Sequence, residues 1–171
     1  MKRSNSPAVQ ILVAVVLLLA VAGIAAGGSL ATAPNVDGWY ADAEKVPWNP
    51  PGGVFGPAWT VLYLLIAAAG FLLWRAIVVR EKRSWDGVLT VYIVQLALNA
   101  AWTPIFFAGY PLIGETAWWL ALAVMVALIV AVIWLMALAT RRSKIATLLL
   151  APYLVWILFA STLNMGIIAL N

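Results

Sequence analysis

Gln95, Asn99 and Trp102 fall at i, i+4 and i+7, the spacing that gathers side chains on one face of a helix, and Phe106 extends the stripe by one more turn. Later in the chain Trp156, Ala160 and Asn164 repeat at i, i+4 and i+8, with Tyr153 one turn before them, and Trp59 and Tyr63 share a face at i, i+4. These side chains offer ring faces for stacking and primary amides for hydrogen bonding. The sequence has no cysteine and no histidine, which removes thiolate nucleophiles, disulfides and iron–sulfur ligation, along with imidazole bases and ligands. No metal centre, no covalently bound cofactor and no acid–base pair is expected. A large indole followed on its own face by a small alanine leaves a concavity. The combination suits a flat, largely apolar ligand held by stacking and one or two amide contacts. Gln95 taken alone reads as interhelical glue, because an amide in lipid needs a partner. Asn99 beside Trp102 reads as facing a ligand.

The elements that must carry these residues follow from composition. Of the 171 residues, 65% are hydrophobic and 9% charged, whereas soluble domains sit near 45–50% apolar and about 25% charged. A soluble globule and an intrinsically disordered chain are both excluded. Five apolar segments, 8–33, 57–79, 87–108, 115–140 and 145–169, are each long enough to span a bilayer as a helix. None shows the alternation of a barrel strand. Short links at 80–86, 109–114 and 141–144 make sequential neighbours antiparallel. The expected fold is an all-α integral membrane protein, a single five-transmembrane-helix bundle over 1–171. Segment 34–56, rich in Pro, Gly and Trp, is expected to cover one end as a lid. Pro104 and Pro152 each remove a backbone hydrogen bond inside a span, and kinks there would open room between helices.

Charge gives the orientation. Lys2, Arg3, Arg75, Arg80, Lys82, Arg83, Arg141, Arg142 and Lys144 fall on the N-terminal side of the spans and Lys45 alone on the other. The positive-inside rule then places the N-terminus in the cytoplasm and both 34–56 and the C-terminus outside, a bias that suits a bacterial inner membrane. No basic face exists beyond these flanks, so a nucleic-acid partner is not expected. Residues 1–33 end in an A-x-A pattern like that of a signal peptide. The run nevertheless spans, and it carries a GxxxG packing face at Gly23 and Gly27, so it is expected to be retained. Ten tryptophans stand beside five tyrosines and five phenylalanines. Trp74, Trp85, Trp118, Trp119 and Trp134 sit nearer helix ends and read as anchors at the headgroup level.

Larger blocks carry a resemblance. Gly38-Trp39-Tyr40, Lys45-Val46-Pro47-Trp48-Asn49-Pro50-Pro51 and Phe55-Gly56-Pro57-Ala58-Trp59-Thr60-Val61-Leu62-Tyr63 are followed by Gln95 through Phe107, by Pro152 to Trp156 and by Phe159 to Asn164. Together they resemble the tryptophan-rich sensory protein/translocator protein (TspO/MBR) family, also called peripheral-type benzodiazepine receptors. The resemblance implies a five-helix membrane bundle, a homodimer, and a pocket capped by the first loop. It also implies protoporphyrin IX-like tetrapyrroles or benzodiazepine-type drugs as ligands. Carried over by motif, the ligand-binding residues are Trp39, Trp59, Tyr63, Asn99, Trp102, Trp156, Ala160 and Asn164. Some relatives leave an outer-membrane location open. The family's Lys-Pro-x-Trp is here Lys45-Val46-Pro47-Trp48, and the stretch Asn164 to Asn171 lacks the Tyr and Arg that end the animal sterol motif. The resemblance therefore implies a tetrapyrrole rather than a sterol.

Three roles fit these residues. A binding protein or sensor needs only occupancy. A light- and oxygen-dependent porphyrin-degrading enzyme would rest on the porphyrin's own photochemistry, with Trp156 or Trp39 as the redox-active indole. A porphyrin or lipid transporter is the third, although no intramembrane charge supports a proton-coupled cycle and no two-half repeat suggests alternating access.

Overall fold

The computed structural model describes residues 6–83 and 85–171, so the flanking cations Lys2 and Arg3 lie outside the described residues. The described residues are mostly helical, with no strand among them, and five helices are long and apolar enough to cross a membrane. They are α1 (Pro7–Val36), α3 (Phe55–Trp74), α4 (Gly87–Phe107), α6 (Thr116–Thr140) and α7 (Lys144–Leu170), with short helices α2 (Trp39–Asp42) and α5 (Tyr110–Ile113) between them. The first, second and fifth spans run slightly longer than the apolar segments suggest, and α4 and α6 are each one residue shorter. α1 continues through Pro34 to Val36, and α3 widens into a π-helical turn over Arg75–Arg80. Segment 34–56 is not simply a loop, since it contains α2 and a 3₁₀ turn at Gly52–Val54.

Polar residues at the borders start three of these helices. The side chains of Ser6, Asp86 and Ser143 accept hydrogen bonds from the backbone N–H groups of Val9, Val88 and Ala146, which satisfies donors left free at each N-terminus. α4 and α7 run unbroken through Pro104 and Pro152.

The helices close a ring in the order α1, α4, α6, α7, α3 and back to α1. α3 and α4 are consecutive spans, yet α1 lies between them on the ring. They meet across its centre, where the Tyr92 ring lies against Gly70 and its hydroxyl donates to the Ile66 carbonyl at 3.0 Å. A side chain at position 70 would collide with that ring, so Gly70 is what lets α3 and α4 approach. Around this contact pack Ile66, Leu73, Ile77, Leu128, Leu135, Leu150 and Ile157.

The two ends of the bundle differ sharply. At one end the α3–α4 and α6–α7 turns are joined by ion pairs from Arg142 to Glu81 and to Asp86, both at 3.0 Å, and by Arg80 donating to the Arg142 carbonyl. At the other end the lid segment lies on α7. The Glu44 N–H and carbonyl both bond the Asn171 side chain, Trp48 Nε1 donates to Thr162 Oγ1 at 3.1 Å, and Val46 packs on Gly166.

Candidate functional site

At the lid end the aromatic side chains form two groups. In the first, Trp59 stacks on Tyr63 with ring centroids 5.2 Å apart and meets Tyr153 and Trp156 edge-on at 6.4 and 6.3 Å. Phe55 and Phe159 flank Trp156. Asn99 ties this group together: Tyr63 Oη donates to Asn99 Oδ1 at 3.1 Å, and Asn99 Nδ2 donates to Tyr153 Oη at 2.9 Å. The i, i+4 spacing on α3 thus brings Trp59 and Tyr63 to a carbonyl on α4 and a hydroxyl on α7.

The second group lies beneath α2. Trp39 packs against Tyr110 and Trp118 at 4.5 and 5.5 Å, and Tyr110 stacks parallel on Trp118 at 4.5 Å. Trp102 stacks on Phe106 at 5.3 Å, and Phe106 reaches Trp39 at 5.8 Å. Asn164 is the tie here. Its Oδ1 accepts from Trp102 Nε1 at 3.3 Å and its Nδ2 donates to the Trp118 carbonyl at 3.2 Å. Trp39 Nε1 donates to the Phe107 carbonyl at 3.2 Å, which fixes α2 over the end of α4. Neighbouring Tyr40 carries the Lys45 ammonium over its ring at 4.8 Å, and burial pushes its phenol above the ordinary tyrosine range, so it stays neutral.

All eight residues singled out by spacing and motif lie at this end, but in two sets. Trp59, Tyr63, Asn99 and Trp156 belong to the first group; Trp39, Trp102 and Asn164 belong to the second. Ala160, buried, sits between Trp156 and Asn164 on the α7 stripe that joins them. The small side chain thus falls at the junction of two aromatic walls.

Several expectations change. Asn99 and Asn164, read as ligand contacts, also hold helices together through the bonds just described. Gln95, read as glue, is fully buried with neither amide atom hydrogen-bonded. Trp156 lies beside Phe55 and Trp59 in the first turns of α3, and Tyr153, one turn before it, is fully buried. Trp118 is no headgroup anchor: it is 2% exposed and sits in the second group. Trp74 is half-buried and stacks on Phe71. Trp85, Trp119 and Trp134 are more than half exposed. The sequence pattern gave no reason to single out Tyr110 and Trp118. Trp118 and Trp119 differ by about 100° of helix rotation, and α6 is apolar all round, so no polar face tells which indole turns inward. Two indole N–H groups, Trp118 Nε1 and Trp156 Nε1, are buried without an acceptor. They supply one donor in each group.

These features define a multi-pass helical membrane protein whose conjugated, aromatic end is covered by its first loop. The chain belongs to the TspO/MBR family, which matches it over residues 14–170. It is 42% identical over 165 residues to a tryptophan-rich protein TspO from Archaeoglobus fulgidus, covering 95% of this chain and 99% of that relative. It is 37% identical over 129 residues to the human translocator protein, covering 74% of this chain and 70% of the relative. A tryptophan-rich sensory protein from Cereibacter sphaeroides is 37% identical over 140 residues, covering 79% and 78%.

Proposed function

We propose that this chain is a membrane-embedded binding protein, or sensor, for a flat and largely apolar tetrapyrrole of the protoporphyrin IX type. The observation that carries the reading is the α7 stripe Trp156, Ala160, Asn164, which sets a small side chain between two aromatic walls, each with a buried indole N–H that lacks an acceptor. Ring faces match a conjugated macrocycle, and unpaired buried donors favour a ligand that brings acceptors. The family resemblance points the same way. The lid contacts to Thr162, Gly166 and Asn171 would have to loosen for such a ligand to enter.

The same reading places the Arg142–Glu81–Asp86 end in the cytoplasm and the lid outside, in a bacterial inner membrane. It also takes the working form as a homodimer. Supporting this, α1 buries only Val21, and nothing lies within 4 Å of an added Cβ at Gly23 or Gly27, which leaves the GxxxG face open to a second helix.

Titrating the purified protein with protoporphyrin IX in the dark tests the reading. A shifted, saturable Soret band is expected. Under light and oxygen the bound band should bleach no faster than free porphyrin. Faster bleaching that Trp156→Phe suppresses would favour the degrading enzyme, and flux of porphyrin into proteoliposomes would favour the transporter. Absence of saturable binding would refute the proposal.

A further inference from the structure

An apolar groove of about 610 Å³ runs between α4 and α6 on the outer surface of the bundle, away from the aromatic end. Gly87, Val94 and Leu98 line it from α4, and Leu138, Trp134 and Ala127 face them from α6. Each helix presents the same i, i+7, i+11 stripe, and because the helices are antiparallel the stripes form two walls of one channel. Val94, Val130 and Trp134 are 45%, 58% and 58% exposed, so these walls look outward into lipid. Thr90 is a polar residue in the lining, and its hydroxyl already accepts from Trp85 Nε1 at 2.9 Å.

The groove has a direction. From Gly87 to Leu98 it covers eleven residues of α4, about 16 Å at 1.5 Å per residue, or about half of a hydrocarbon core roughly 30 Å thick. It is therefore one leaflet deep. Its Gly87/Leu138 end opens at the charged turns. Arg141 and Arg142 continue the α6 stripe three and four residues past Leu138, and Asp86 precedes Gly87. Asp86 is shared by two arginines, Arg83 at 2.9 Å and Arg142 at 3.0 Å, and Glu81 also pairs with Arg142. Arg141 is exposed and makes no ion pair among the described residues, and Arg83 keeps 55% of its side chain exposed. The rim thus carries surplus positive charge above an uncharged, acyl-shaped channel, with the Trp85 indole at the boundary between them.

We propose that this groove is a binding site for an anionic phospholipid of the adjacent leaflet. One acyl chain lies along Leu98, Ala127, Val130 and Trp134, and the phosphate sits at the rim by Arg141 and Arg83. Basic pockets between spans on the cytoplasmic side recognise anionic headgroups by this combination. A zwitterionic lipid fills the channel equally well but gains less at the rim.

The test uses the full chain reconstituted with phosphatidylglycerol, or phosphatidylcholine, bearing a photoactivatable diazirine on one acyl chain. Adducts should map to 87–98 and 127–138, and phosphatidylglycerol should label several-fold more than phosphatidylcholine. Arg141→Gln should cut phosphatidylglycerol labelling about fivefold, the loss that goes with one surface cation, and leave phosphatidylcholine labelling unchanged. Ala127→Phe, on the exposed wall, should block labelling by both lipids. Melting curves of both variants should match the parent, because both positions are exposed. Equal labelling by the two lipids with no effect of Arg141→Gln would overturn the proposal. So would undiminished labelling in Ala127→Phe, or copy-to-copy crosslinks through these stripes, which would make the face an interface between chains.

Discussion

Asn99 and Gln95 sit one turn apart on α4, and the structure gives them opposite situations. Asn99 joins α3, α4 and α7 through Tyr63 and Tyr153, while Gln95 is buried with its amide unpaired. A buried amide without partners is a desolvation penalty, so Gln95→Leu should raise stability by about 1 kcal/mol, read as a higher melting midpoint in detergent. A clear loss of stability would mean that an internal water or ligand holds that amide. Asn99→Ala should do the opposite, removing two interhelical bonds worth on average about 0.6 kcal/mol each and loosening Tyr63 and Tyr153 together. Trp118 and Trp119 make a second contrast. Trp118→Phe removes a buried indole N–H from the second aromatic group and should weaken porphyrin binding, whereas Trp119→Phe, on the lipid side, should leave the affinity within error. Equal effects of the two substitutions would contradict the placement of Trp118.

At the scale of elements, Asp86 both caps α4 and joins the two turns of the charged end. The Val88 N–H that its carboxylate accepts, helped by Arg142 and Arg83, holds its pKa below the ordinary carboxylate range despite its partial burial. A carboxylate depressed in the folded state stabilises above its unfolded pKa, and the contribution disappears as pH falls through the folded value. Asp86→Asn keeps a capping side chain but loses both ion pairs. It should melt below the parent at neutral pH, with the gap closing in acid; a gap independent of pH would show that the charge of Asp86 stabilises nothing. The lid makes a parallel case at the other end. Gly166 admits Val46, so Gly166→Val should push the lid from α7 and speed both entry and release of ligand in stopped-flow mixing.

The sequence carried the five spans, because runs of twenty or more apolar residues leave the backbone no other way to cross lipid. It also carried the convergence of seven of the eight candidate residues on one end, through helical spacing on α3, α4 and α7, while Trp39 on α2 came from the motif alone. The rotation of α6 was not legible, since a helix that is apolar all round has no polar stripe to read, and Trp118 was misplaced for that reason. Nor could spacing say which amide would find a hydroxyl. That depended on Tyr63 and Tyr153 arriving from two other helices. The lid's Val46, a departure from the family motif, found its reason only in the glycine it packs on.

For the whole molecule, charge and aromatics divide the bundle into two ends, with ion pairs at one and stacked rings at the other. A periplasmic-type reporter fused after Asn171 should be active and a cytoplasmic-type reporter silent; the reverse would refute the N-in orientation. Replacing Gly23 and Gly27 together by leucine should shift a dimer toward monomer in crosslinking, with the melting curve little changed, because no neighbour meets those positions within the chain. The central claim is that Ala160 marks the space between the two aromatic walls. Tryptophan-quenching titrations with protoporphyrin IX, run in the dark on the parent protein and on Ala160→Leu, test it most directly. Saturable quenching is expected in the parent, with an affinity about tenfold weaker or worse in Ala160→Leu, as about 1.4 kcal/mol of steric misfit would give. Unchanged affinity in a folded Ala160→Leu protein would contradict the claim.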